Sequence, residues 1–185
     1  DPTTEVMCAS YRFGKSGPVS RWRRGDPPPA DLVQAVAAGE TVCAHNAMFE
    51  LSIWTYICGP RLGWGSLSPY QMDCTMARAN VMSLMASLDG ACTLLNVPHQ
   101  KDNAGYAIMM KCCKPRKPHK DEDPNKIYWN EDPEDLLRQE EYCDQDVRCL
   151  IEVDARLPPL SAAERLIFER TWRKNETGLP IDIQL

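Results

Sequence analysis

An α/β fold is what this chain predicts, on three observations. Short runs rich in β-branched and aromatic residues lie near 5–13, 18–24, 41–44 and 71–75. The last two each lead into a stretch with apolar residues at helical spacing. At 185 residues, 43% hydrophobic and 25% charged, the chain is one ordinary domain with enough apolar side chains for a core.

Each element has its own local reason. Glu5 to Phe13 reads as a strand, Gly14 to Gly17 as a turn, and Pro18 to Arg24 as the hairpin partner. Gly25-Asp26-Pro27-Pro28-Pro29 breaks the chain, and Leu32, Val33, Val36 and Ala37 then mark a helix from Ala30 that stops near Gly39. Thr41 to Ala44 is a brief buried strand ended by His45. Asn46 is the expected N-cap of a helix whose Phe49, Ile53, Trp54 and Ile57 recur at helical spacing until Gly59-Pro60. Gln71 to Thr75 is a further strand leading into a helix through Ala77, Ala79 and Met82, and Leu84 to Leu95 is another helical segment. From Val97 to Tyr128 the chain is rich in Lys, Pro, Gly and Asp and reads as loop, its latter half as a mobile excursion. Asp132-Pro133-Glu134-Asp135 is a strong helix start, with a cap, a proline at the first helical position and acids in the first turn. That helix carries Leu136, Leu137, Cys143, Val147, Leu150 and Ile151 toward Pro158-Pro159. A last helix runs from Ala162 to about Lys174, before an extended tail at Gly178 to Ile183. There is no internal repeat.

Composition narrows the function classes. No apolar run approaches the roughly 20 residues that span a bilayer, and Asp1-Pro2-Thr3-Thr4-Glu5 lacks signal-peptide character, so the expectation is a cytoplasmic protein without a membrane partner. The nine cysteines are scattered through apolar segments and odd in number, as expected of reduced thiols packed as small hydrophobes. Only Cys112-Cys113 are adjacent, and a zinc or thiol module built on them with His99 or His119 is a minor reading. The net charge of −5 is unevenly spread: Lys111, Lys114, Arg116, Lys117 and Lys120 form one basic group and Arg21, Arg23 and Arg24 another around Trp22. Confined basic patches on an acidic protein can hold a phosphate backbone, or can be no more than solvated loop.

Two motifs carry chemistry. In Asn46-Ala47-Met48-Phe49-Glu50 the acid lies in the first turn of a helix that follows a strand, the place where open α/β sheets set their sites. A bland alternative is that Glu50 only complements the helix dipole. In Tyr142-Cys143-Asp144-Gln145-Asp146 a phenol and a carboxylate are four residues apart and project from one side of a helix, beside its apolar stripe. Carboxylates on separate elements with a tyrosine one turn away suit divalent-metal hydrolysis of a phosphodiester.

These residues resemble the ribonuclease H-like 3′-5′ exonucleases of the DEDD type, tyrosine subclass, and most of all the proofreading domains of bacteriophage-type family A DNA polymerases. Ala44 to Glu50 looks like that family's second exonuclease motif and Glu140 to Val147 like its third. Asp73 to Arg78 and Lys114 to Lys117 are similar to intervening segments, and Asn175 to Asp182 looks like the lead into a polymerase domain. The resemblance implies a mixed sheet flanked by helices, with Mg2+ or Mn2+, two ions if active, as cofactor. It makes Asp146 and Glu50 metal ligands, Tyr142 the residue that orients the attacking water, and Asn46 a possible contact to the substrate backbone. The implied partner is DNA, by preference a single-stranded 3′ end, with His45, Asn46, Lys101, Arg116 and Lys117 as contacts; Trp22 or Tyr106 is either a base-stacking surface or, as the favoured account for each, core packing. The family's first motif, Asp-x-Glu on the leading strand, has no match, as though that strand were missing. Asp1, Glu5, Asp73 and Asp144 are the candidates to substitute for its acids. The competing reading is a nucleic-acid-binding remnant of a proofreading domain without catalysis.

Overall fold

Alternation in Cys8–Tyr11 and Ser20–Arg23 (β1 and β2) closes an antiparallel hairpin in which Cys8 faces Arg23 and Ser10 faces Arg21. A computed structural model describes residues 4–100 and 102–178. Asp1, Lys101 and all but the first residue of the expected tail lie outside the described residues. A second pair, Val42–Ala44 and Met72–Cys74 (β3 and β4), is parallel, with Ala44 beside Cys74. The α/β class holds, but the expected mixed sheet comes as two separate two-stranded pieces. Among the described residues no strand joins the two pairs.

Helices surround both pairs. Ala30–Ala37 (α1) turns Leu32, Val33 and Val36 onto the first core. After Ala47–Ile53 (α2), a π-helical turn at Trp54–Cys58 is followed by a single turn, Gly59–Leu62 (α3). Pro60 therefore opens a helical turn instead of ending the run, because at an N-terminal position its missing N–H costs nothing. The wider π turn lets Trp54, Ile57 and Cys58 all reach the interior, while Phe49, expected on the buried face, is 59% exposed. Trp64 sits edge-on to Trp22 and Trp54, each pair of ring centroids 5.2 Å apart. Trp22 is buried, and its indole N–H donates to the carbonyls of Asp26 and Pro27, so it cannot offer a face to a base.

Thr75–Val81 (α4), Leu88–Leu94 (α5) and Pro133–Asp154 (α7) enclose a second core of Ala79, Leu88, Ala91, Cys92, Val97, Cys149, Val153 and Leu157. The Asp132 carboxylate accepts the backbone N–H groups of Glu134 and Asp135, the cap that the sequence predicts. Asn103–Cys112 (α6) is a helix where the composition predicts loop. Asp102 caps it by accepting from Gly105 N at 2.9 Å, and it lies along α7. Ala162–Thr177 (α8) starts with a reciprocal Ser161–Glu164 capping box, and its Arg165 donates to the carbonyls of Met72 and Tyr70. No helix among the described residues is long and apolar enough to cross a membrane.

Gly105 sets the approach of α6 to α7. A Cβ there would stand 2.8 Å from Tyr142 Cβ and 2.5 Å from an Asp102 carboxylate oxygen. Gly105→Ala is therefore expected to lose on the order of 1–2 kcal/mol in urea unfolding, since the overlap outweighs alanine's better helix propensity.

Candidate active site

The long helix α7 presents Glu140, Cys143 and Asp144 to the hairpin and Tyr142 to α6. Arg21 donates to Glu140 at 2.7 Å and to Asp144 at 2.6 Å, Arg23 binds the same Glu140, and Ser10 Oγ donates to Asp144 at 2.7 Å. Burial raises the Asp144 carboxyl, but Arg21 and Ser10 outweigh it and hold the group below its ordinary value. Asp144 thus acts as the pin between α7 and β1. The basic group at Arg21, Arg23 and Arg24 is consumed in the same way, with Arg24 paired to Glu5 and Glu131.

Tyr142 is buried, its ring 6.5 Å from that of Tyr106, which is 44% exposed. Burial pushes the phenol well above its ordinary range, and the charge of Asp146 and a hydrogen bond to it push further. The phenol therefore remains protonated and is a donor, not a base. Asp146 is half-buried, with Oδ1 shielded from solvent.

Glu50 lies in α2, beyond the end of β3. Glu50 is exposed at the surface, yet the protein around its carboxyl pushes the pKa up to about 7, against a stabilising backbone hydrogen bond, and the charge of Cys143 adds to the rise. The Cys143 thiol is itself lowered, first by a hydrogen bond with Cys8 and then by Ser10, while Asp146 opposes that shift. Glu50 and Asp146 hence share Cys143 as an electrostatic neighbour, a residue that the sequence motif contains but that sequence reasoning gave no role. An acid whose folded pKa exceeds its unfolded value loses stability as pH rises from about 4.5 toward 7, because the unfolded chain releases the proton first. Glu50→Gln removes this loss. In metal-free urea titrations the variant is expected to gain on the wild type between pH 5 and 8, and a gap that stays constant across that range contradicts the assignment.

Other expected contributors are placed differently. Asn46 stands at the N-cap position in the left-handed region, φ 67° and ψ 50°, and its side chain makes no cap hydrogen bond. Asn46 is exposed. His45 is held between Thr75 Oγ1 at 2.9 Å and the Ala86 carbonyl at 2.8 Å; the carbonyl requires the proton on Nε2. Asp73 is the middle residue of β4, beside Cys43 and Asp154, and the ligand atoms of the three all lie within 4.8 Å of one another. Arg78, 5% exposed, already reaches into that group, donating to Asp73 at 2.9 Å and to Asp154 at 2.5 Å. A guanidinium thus occupies the position that a bound cation would take. Arg116 is engaged with Glu122 and lies over the Tyr128 ring, while Lys117 is exposed. Cys112 is buried and Cys113 exposed, and His99 is taken by Glu152, so the adjacent thiols and that histidine do not form one cluster.

The chain is 29% identical to a DNA polymerase of Bacillus phage SP02 over an alignment of 191 residues that takes in the whole chain. It spans 28% of the length of that polymerase. No family model matches the chain, and no solved structure matches it.

Proposed function

We propose that this chain is a metal-dependent 3′-5′ exonuclease module that removes nucleoside 5′-monophosphates from single-stranded DNA ends. What supports the reading is the Tyr142–Asp146 pair one turn apart on α7, where the charge of Asp146 and a hydrogen bond to it raise the phenol, while the charge of Cys143 between them acts on Glu50 as well. Similarity along the whole chain to part of a phage DNA polymerase supports a place beside DNA synthesis, where proofreading is the corresponding task.

The donor set fits a hard cation. Magnesium is commonly held by one or two carboxylates, with water and substrate phosphate completing the octahedron, and Asp146 and Glu50 are the carboxylates that would hold it. A bound ion would polarise the phosphoryl group and stabilise the departing oxygen. The chain's own residues do the remainder: the Tyr142 hydroxyl, whose one proton goes to Asp146, accepts a hydrogen bond from the water and so orients it for in-line attack, and the α6–α7 contact holds its ring in place. Asp73 and Asp144 are each neutralised by an arginine, so the set serves one ion, and a second would require further acids.

The test is release of mononucleotides from a 3′-labelled single strand in Mg2+ or Mn2+, abolished by chelator. Binding of the strand without turnover in either metal would favour the non-catalytic remnant. Stoichiometric zinc in the purified protein, with no dependence on Glu50, would favour the thiol module.

A further inference from the structure

We propose that the segment joining α6 to α7 is a platform for the unpaired strand, with Trp129 stacking on a base and Lys117 meeting the backbone. This rests on the nuclease reading for its substrate but not for its geometry. The segment is closed by an antiparallel bridge between Arg116 and Tyr128, with Arg116 N donating to Tyr128 O at 2.8 Å. Side chains alternate across a bridged ribbon, so Arg116 and Tyr128 share one face, while Lys117 with Ile127 and Pro115 with Trp129 share the other. Arg116 stacks 5.0 Å above the Tyr128 ring and forks onto Glu122 at 2.6 and 2.7 Å, which commits the first face to holding the loop.

The second face is open. Ile127 is 68% and Trp129 42% exposed, and Lys117 is exposed beside them. Large apolar groups left outward are costly unless something covers them. Lys114, Lys120 and Lys126 are also exposed. Among the acids of the loop, Glu122 is neutralised by Arg116, Glu131 is paired with Arg24, Asp123 caps the turn by accepting from Asn125 N, and Asp121 is exposed. Exposed lysines on the same segment as a part-exposed indole match a single-stranded nucleic acid, whose bases offer flat faces and whose phosphates offer charge. An apolar protein segment would leave the lysines without partners.

The platform is anchored. Asn130 donates to Asp135 at 2.7 Å, Lys111 pairs with the same carboxylate, and so the loop's root is tied to the first turn of α7. From Pro133 to Asp146 the helix rises roughly 20 Å, so a strand whose end lies at Asp146 has its upstream nucleotides within reach of Trp129. Arg116, expected to touch phosphate, instead builds the surface on which its neighbours act.

The experiment is fluorescence anisotropy of a 5′-fluorescein oligothymidylate in EDTA, where no cleavage occurs. The wild type is expected to bind, Trp129→Ala to bind about tenfold more weakly and Trp129→Phe to stay close to wild type, as stacking requires. Lys117→Ala is expected to flatten the dependence of log K on log salt by about 0.7. Circular dichroism checks that each variant is folded. Undiminished binding by Trp129→Ala, a wild type that does not bind, or an unchanged salt slope in Lys117→Ala overturns the platform. Mononucleotide release in magnesium is scored separately, so its persistence with unaltered Trp129→Ala binding rejects the platform and leaves the nuclease reading intact.

Discussion

Arg78→Met is expected to lower the unfolding free energy by about 3–5 kcal/mol, the loss typical of removing one partner of a buried ion pair. Arg78 donates to the carboxylates of Asp73 and Asp154 and to the carbonyls of Asp154, Leu157 and Pro158. One side chain therefore fastens the middle of β4, the C-terminus of α7 and the turn that follows. The two carboxylates retain some solvent, each side chain 29% exposed, which softens the penalty of leaving them unpaired. The three carbonyls gain no donor from methionine, and the cost of an unsatisfied buried acceptor remains. Arg78→Lys rescues little, because an ammonium has three donors on one point and cannot span five acceptors. Urea midpoints of the two variants check this. A loss below about 1 kcal/mol for Arg78→Met would mean that α7 is held by its apolar face alone.

What was legible in the sequence was what is determined locally. Asp132-Pro133 announces α7 because a cap needs only the next three residues, and Ser161 to Glu164 opens α8 by the same means. The hairpin, α1 and the two short parallel strands fall where alternation and apolar runs put them. Composition misleads at α6: the surrounding Lys, Pro and Gly suggest loop, although Asp102 as a cap, followed by Ile108, Met109 and Cys112, was a usable helix signal. Gly105 looks like part of that loop chemistry, and only the approach of Tyr142 reveals its purpose.

Partners distant in the chain were not legible. Arg78 reads as one more residue of an ordinary helix until Asp154, 76 positions away, is brought beside it. Asp73 and Asp144 look like spare ligands, and Arg116 like a phosphate contact, because a sequence does not show which charges have been neutralised within the fold. Basic residues around Trp22 suggest a nucleic-acid surface, yet the indole is buried and two of the three arginines hold α7 through Glu140 or Asp144. Motif spacing places Tyr142 and Asp146 on one helix face, but the lowering of Cys143 between them depends on Cys8 and Ser10, which only the packing of β1 against α7 brings there.

Asp146→Asn is expected to reduce mononucleotide release by at least about 10²–10³-fold, while the protein remains folded and still binds the oligonucleotide in EDTA. The substitution keeps the volume and an oxygen to accept from Tyr142, so it removes charge and little else. If Asp146 helps to hold the cation, that charge is the essential property, and raising the metal concentration should recover part of the rate. Tyr142→Phe alters a different quantity. It leaves both carboxylates in place but removes the hydroxyl that orients water, so the turnover rate falls with little change in the metal concentration needed for half activity. Two variants within one turn of a helix thus separate cation binding from water positioning, in a way that general loosening of α7 would not. A wild-type rate in Asp146→Asn would exclude this carboxylate from the reaction. Equal metal dependence in both variants would mean that the pair acts as a structural unit, because a packing defect cannot distinguish a lost charge from a lost hydroxyl.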